Sequence, residues 1–161
     1  MNYLQITPCD MTNGKDFGVC LWVAGCDKHC PGCHNPESWD PDAGKVFDAE
    51  AKSILFEALN KSWVKRFTLT GGDPLSCYNI KESMKLLREI KLKFPHIEIW
   101  VYTGYEIQGI PLKFLKNIDV LVDGPYIEKY RDITLAFRGS TNQRIIYMSK
   151  YHREEVEDNG K

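Results

Sequence analysis

At 161 residues the chain is the size of one domain, and it can bury about 70 % of its unfolded surface without a metal to staple it. Hydrophobic residues make up 43 % and charged residues 27 %, a balance that fits neither a disordered tract nor a collagen-like or membrane-spanning chain. Lys and Arg number 21 against 22 Asp and Glu, a formal charge of −1 with no basic stripe, which leaves nucleic acid without an electrostatic footprint.

The first ten residues lack the basic start and long apolar core of a signal peptide. No apolar run approaches the ~20 residues that cross a bilayer. The expectation is a cytoplasmic protein, one domain over 1–161, with no membrane partner. A strand is predicted over 17–23, running straight into a loop that holds three cysteines. A helix follows over 48–60, capped by Asp48, with Ala51, Ile54, Leu55, Ala58 and Leu59 on one face. The second strand, 66–70, ends in Gly71-Gly72-Asp73-Pro74. The next helix covers 80–93, with Ile80, Met84, Leu87 and Ile90 facing a core. A third strand over 97–102 ends at Thr103-Gly104, and a short helix over 112–116 leads to a fourth strand, 119–123. A turn over 138–143 precedes a last strand, 144–148, and the tail from about 151 is mostly charged.

Strands alternating with helices predict an α/β fold with a mainly parallel sheet. Five strands are too few for a closed eight-stranded barrel, which takes ~250 residues. The expected architecture is therefore a partial, open TIM-like barrel of about five parallel βα units, with the cysteine loop after the first strand. Ligands in such sheets sit at the carboxyl ends of the strands.

The chemistry is concentrated in Cys26-Asp27-Lys28-His29-Cys30-Pro31-Gly32-Cys33-His34-Asn35. In a reducing compartment this C-x3-C-x2-C spacing reads as metal ligands rather than disulfides. Iron–sulfur cubanes are held by cysteine thiolates, and three on one loop leave a fourth iron open for another ligand. Three blander readings compete. Zinc would take the three thiolates plus His29 or His34 in a closed tetrahedral site, the mark of a binding module. Cys30-Pro31-Gly32-Cys33-His34 also matches the covalent haem motif, whose attachment needs export. Cys30 and Cys33 would alternatively form a redox pair, which leaves Cys26 without a role. Among the other thiols, Cys20 reads as a small core residue, while Cys9 and Cys77 fall in expected loops.

C-x3-C-x2-C after a first strand resembles the radical S-adenosylmethionine superfamily. The run of Leu69-Thr70-Gly71-Gly72-Asp73-Pro74-Leu75, Trp100-Val101-Tyr102-Thr103-Gly104-Tyr105, Val122-Asp123-Gly124 and Arg138-Gly139-Ser140-Thr141-Asn142-Gln143 narrows this. In that order it resembles the activases of glycyl-radical enzymes, specifically those of anaerobic ribonucleoside-triphosphate reductase. The resemblance implies one 4Fe–4S cluster on Cys26, Cys30 and Cys33, with S-adenosyl-L-methionine chelating the fourth iron and cleaved reductively to a 5′-deoxyadenosyl radical. It implies cofactor contacts from Gly32, Cys33, His34, Gly71, Gly72, Asp73 and Thr103. It implies a glycine of the reductase large subunit as substrate, with activation of another glycyl-radical enzyme as the variant, and a flavodoxin-like electron donor. For Gly71, Gly72, Asp73 and Thr103 the competing reading is a strand-end turn with Asp73 as a cap. Asp123 and Asn142 share that ambiguity. Trp39 and Trp63 are candidates for a docking surface or for the core.

Overall fold

The computed structural model describes residues 1–151, so the charged tail from about 151 lies outside the described residues. Ten elements follow in chain order: β1 (Asn2–Asp10), β2 (Gly18–Val23), β3 (Lys45–Val46), α1 (Ala49–Leu59), β4 (Arg66–Gly71), α2 (Ile80–Lys93), β5 (Glu98–Tyr102), α3 (Leu112–Leu115), β6 (Val120–Asp123) and β7 (Arg144–Tyr147). Asp48 caps α1, its Oδ1 accepting from the Ala51 N–H at 3.0 Å, and Ala51, Leu55 and Leu59 turn inward. Ile54, expected on that face, is half exposed instead. On α2 the buried stripe is Ser83, Leu86, Leu87 and Ile90, one step round from the expected set, with Ile80 and Met84 packed at its margin.

The strands form one sheet in the order β3-β1-β2-β4-β5-β6-β7. Pairing is parallel through β2, β4, β5 and β6, and antiparallel at β1–β2, β1–β3 and β6–β7. The expected run of about five parallel βα units is therefore corrected to four parallel strands flanked by antiparallel ones. The physical reason lies in the connections. A parallel partner needs a crossover that carries the chain back to the far end of the sheet. After β6 no α-helix supplies one. The chain folds back over 124–143 and re-enters at the same end, where Arg144 pairs with Asp123.

Alternation along the strands sorts the two faces of the sheet. Val19, Leu21, Val23, Phe67, Leu69, Ile99, Val101 and Leu121 pack with the buried residues of α1 and α2 in the main core. The opposite face carries Cys20, Thr68, Trp100 and Val120 in register across four strands, and Trp22 beside Thr70. Among the described residues no helix contributes to the cluster on that second face. Phe137, Ile145 and Tyr147 pack on its Trp100, Val120 and Val122 instead. Cys20 is fully buried there, as a core thiol would be, and burial pushes its pKa far up. Cys9, by contrast, belongs to β1 rather than a loop; its side chain is exposed, as is that of Cys77.

One buried cation organises the amino end of the second face. Arg66 opens β4 with no exposed surface and pairs with Asp10, Nη2 to Oδ2 at 2.7 Å. It also donates to the carbonyls of Asp10 at 3.0 Å, Asn13 at 2.9 Å, Lys15 at 2.8 Å and Asp16 at 3.3 Å. The β1–β2 connection is thus wound around one guanidinium. Gly14 permits this: its φ is +139°, and a Cβ there would lie 2.5 Å from Arg66 Cδ.

Candidate metal centre and adjoining cleft

The cysteine loop leaves β2 at Val23 and is tied down at its root. Asn79 Nδ2 donates to the carbonyls of Ala24 at 2.8 Å, Gly25 at 3.1 Å and Asp73 at 3.0 Å, and Ser76 Oγ adds a bond to Gly25 O. Main-chain bonds from Gly25 to Ser38 and from Cys26 to Trp39 close the loop on itself. Between these ties the chain turns tightly, with Cys33 N donating to Cys30 O at 3.1 Å and positive φ at His29 and Gly32. Cys26, Cys30 and Cys33 all carry free, partly buried thiols.

Sulfur on this loop meets main-chain N–H groups. Asn35 N donates to Cys33 Sγ at 3.4 Å. Burial pushes the Cys26 and Cys30 thiols above their ordinary range, offset in part by the N–H groups of Lys28 and His29 at Cys26 and of Tyr126 at Cys30. Such thiols hold their protons near neutral pH, and a metal must displace them to bind.

The two histidines that a closed zinc site would call on each pack against an aromatic ring. The His29 ring packs edge-on against Trp39 at 5.0 Å, and the His34 ring lies against Tyr126 at 5.1 Å. Among the described residues no three His, Cys, Asp or Glu side chains gather around a single ion. Three thiols on one loop fit the cubane.

Gly71, Gly72, Asp73 and Thr103 stand at the strand ends beside this loop. A Cβ on Gly71, whose φ is +107°, would meet Val23 O at 2.5 Å. One on Gly72 would meet Gly25 O at 2.6 Å and Ser38 O at 2.8 Å. The glycines let the cysteine loop lie directly on β4, where Gly72 N bonds Val23 O and Asp73 N bonds Gly25 O. The Asp73 carboxylate is buried and spoken for. It accepts from Leu75 N at 2.8 Å, Gly104 N at 2.9 Å and Thr103 Oγ1 at 2.9 Å. Burial pushes its pKa up to about 6 against the pull of those three donors. Asp123, likewise buried, accepts from Ile107 N and holds Arg144 through two bonds of 2.9 and 2.6 Å. Asn142 donates to Pro125 O. Because both clashes at Gly72 are with backbone, Gly72→Ala is expected to cost about 1–3 kcal/mol of stability and to lower iron retention, checked by thermal melts and iron analysis.

A cleft of about 470 Å³ opens next to Cys33, His34 and Asn35 and crosses the second face of the sheet. Its floor is Trp22, Thr70 and Tyr102; Thr12 and Asn13 border one side, and Tyr126 with 135–139 the other. The Tyr102 hydroxyl is buried there without a partner. Strand alternation marks Trp22, Thr70 and Tyr102 in hindsight, since each follows a core residue by one position. Thr12, Asn13, Tyr126 and Phe137 come from distant loops and carry no local signal. Of the aromatic docking candidates, Trp39 is half-buried against His29, while Trp63 is exposed and pairs edge-on with Phe17.

Among the described residues no helix is long and apolar enough to cross a membrane. A family described as "4Fe-4S single cluster domain" matches residues 12–146. An anaerobic ribonucleoside-triphosphate reductase-activating protein of Enterobacteria phage T4 is 42 % identical over 146 residues, covering 90 % of this chain and 93 % of the relative. Proteins of the same name from Haemophilus influenzae and Escherichia coli K12 are 39 % identical over 150 residues and 36 % over 153. They are covered to 97 % and 99 %, with 90 % and 92 % of this chain aligned. With its three cysteines inside the matched span, the chain belongs to the family of anaerobic ribonucleoside-triphosphate reductase-activating proteins, which carry a single-cluster 4Fe–4S domain.

Proposed function

We propose that the chain is a radical S-adenosylmethionine activase acting on the large subunit of an anaerobic ribonucleoside-triphosphate reductase. The observation that carries this reading is the placement of three free, partly buried thiols on one loop, with the third of them, Cys33, lining an open cleft. When bound, the cluster supplies the electron that splits S-adenosyl-L-methionine into methionine and a 5′-deoxyadenosyl radical, which takes a hydrogen atom from a glycine of the reductase. Every other contribution comes from this chain's own residues. Cys26, Cys30 and Cys33 hold three irons and leave the fourth for the methionine end of the cofactor. Cys33 and His34 border the cleft where the nucleoside lies, with Tyr126 behind the His34 ring and Gly32 in the turn just before Cys33. Thr70 and Tyr102 form a polar floor, and Trp22 and Phe137 narrow it against water. Gly71, Gly72, Asp73 and Thr103 act by seating the loop. The cleft is open on the side away from α1 and α2, which suits entry of a segment of another protein. A flavodoxin-like protein is the electron donor we assign.

The test is anaerobic reconstitution with iron and sulfide, followed by S-adenosylmethionine and a strong reductant. The expected result is a brown protein that forms 5′-deoxyadenosine. Adding the reductase large subunit then produces a glycyl-radical doublet in electron paramagnetic resonance. A colourless protein holding one zinc overturns the reading. A doublet formed only on a different glycyl-radical enzyme overturns the choice of substrate.

A further inference from the structure

Two tyrosines outside the cysteine motif reach the two halves of its loop, and each does so through a carboxylate. On the first half, the Tyr105 hydroxyl donates to Asp27, the residue after Cys26, in a short contact. The same ring receives the Lys28 ammonium 3.4 Å from its centroid. Tyr105 is itself anchored: its N–H donates to Thr103 Oγ1 at 3.1 Å, and its carbonyl accepts from Gly124 N at 3.1 Å. On the second half, the Tyr126 hydroxyl donates to Glu128 Oε2 at 2.5 Å, and the Tyr126 ring backs His34. Glu128 in turn lies on Gly32, so closely that a Cβ there would sit 2.0 Å from Oε2 and 2.7 Å from Cδ. Tyr105 follows the end of β5, whereas Tyr126 and Glu128 belong to the β6–β7 connection, so the loop is gripped from two separate parts of the fold.

We propose that Tyr105 and Tyr126 are positioning residues for the metal centre, two clasps that hold the first and second halves of the cysteine loop in the arrangement that receives the cluster. This rests on the cluster reading above, yet each clasp is a property of the bare chain as well. The loop needs such grips because His29, which is not a glycine, has positive φ, a conformation that local chain preferences do not hold on their own. The second clasp also reaches the electronics of the site. Hydrogen bonds to cluster sulfur and nearby charge set the potential of an iron–sulfur centre. Glu128 sets a carboxylate directly on Gly32, between the second and third cysteines.

The experiment compares the wild-type chain with Tyr105→Phe, Tyr126→Phe and Glu128→Gln, in three measurements. Hydrogen exchange on the iron-free protein reads the amides of 26–35. Each Phe variant is expected to speed exchange about three- to tenfold in its own half of the loop, the worth of one lost hydrogen bond, with the amides of β4 and β5 unchanged. On reconstituted protein, iron release to a chelator is expected to quicken by a similar factor. Glu128→Gln is expected to move the cluster potential to a more positive value, because a negative charge is gone, while Tyr105→Phe leaves it nearly in place. Unaltered loop exchange in both Phe variants overturns the clasps, whatever the iron data show. Altered exchange in a chain that takes up no iron upholds the clasps and overturns the cluster reading instead.

Discussion

Cys33→Ser is expected to leave a folded chain that no longer holds a stable cluster and forms no 5′-deoxyadenosine above background. Cys26→Ser and Cys30→Ser are expected to behave alike. The loss should be near total, since three thiolates are the minimum that keeps a cubane anchored while one iron stays open. The contrast with histidine makes the prediction sharp. His29 and His34 pack on Trp39 and Tyr126, so replacing either by Ala should leave iron content close to wild type. Iron and sulfide analysis with the visible spectrum reads the result. A histidine variant as poor in metal as the cysteine variants would restore the zinc reading.

Arg66→Met should be the most destabilising single change away from the cysteines, by about 3–5 kcal/mol, because it leaves the Asp10 carboxylate buried without its partner. It also strips donors from the carbonyls of Asp10, Asn13 and Lys15. The pH dependence identifies the cause. Burial pushes the Asp10 pKa up, but bonds from Arg66 and Asn13 outweigh it and hold the group below its ordinary value. A depressed carboxylate stabilises the fold above its unfolded pKa of about 3.9 and loses that contribution as pH falls through the folded value. Without Arg66 only the Asn13 bonds still oppose burial, so the pKa rises from its native value and acid costs the variant less than the wild type. The gap between the two proteins should therefore narrow as pH falls below about 4 in denaturant melts. A gap independent of pH would mean that the lost carbonyl bonds, and not the charge, carry the effect. Adding Asp10→Asn to Arg66→Met should cost less than the sum of the single changes.

Much of this molecule is readable from residue order, for identifiable reasons. The strands now labelled β2, β4, β5 and β6 are buried on both faces and so carry dense apolar runs; α1 and α2 show helical spacing. β1 goes unseen because Pro8 interrupts it and its side chains are mostly half-exposed, which blurs alternation. The two residues of β3 have no pattern to show. The direction of β7 is hidden as well, since it depends on how a connection without an α-helix returns. At the site, the thiol spacing is local and therefore visible. The cleft is not, because its walls come from 12–13, 22, 70, 102, 126 and 135–139, joined only by strand register. At Gly72 the close backbone approach that its sequence context suggests is realised toward the cysteine loop, while the Asp73 carboxylate ties Thr103 and Gly104 to it.

Neither hydrophobic cluster of the fold includes Cys26, Cys30 or Cys33, and the sheet pairs without them. The sheet register and the packing of α1 and α2 involve none of the three thiols, so the body of the chain is expected to fold before iron is supplied.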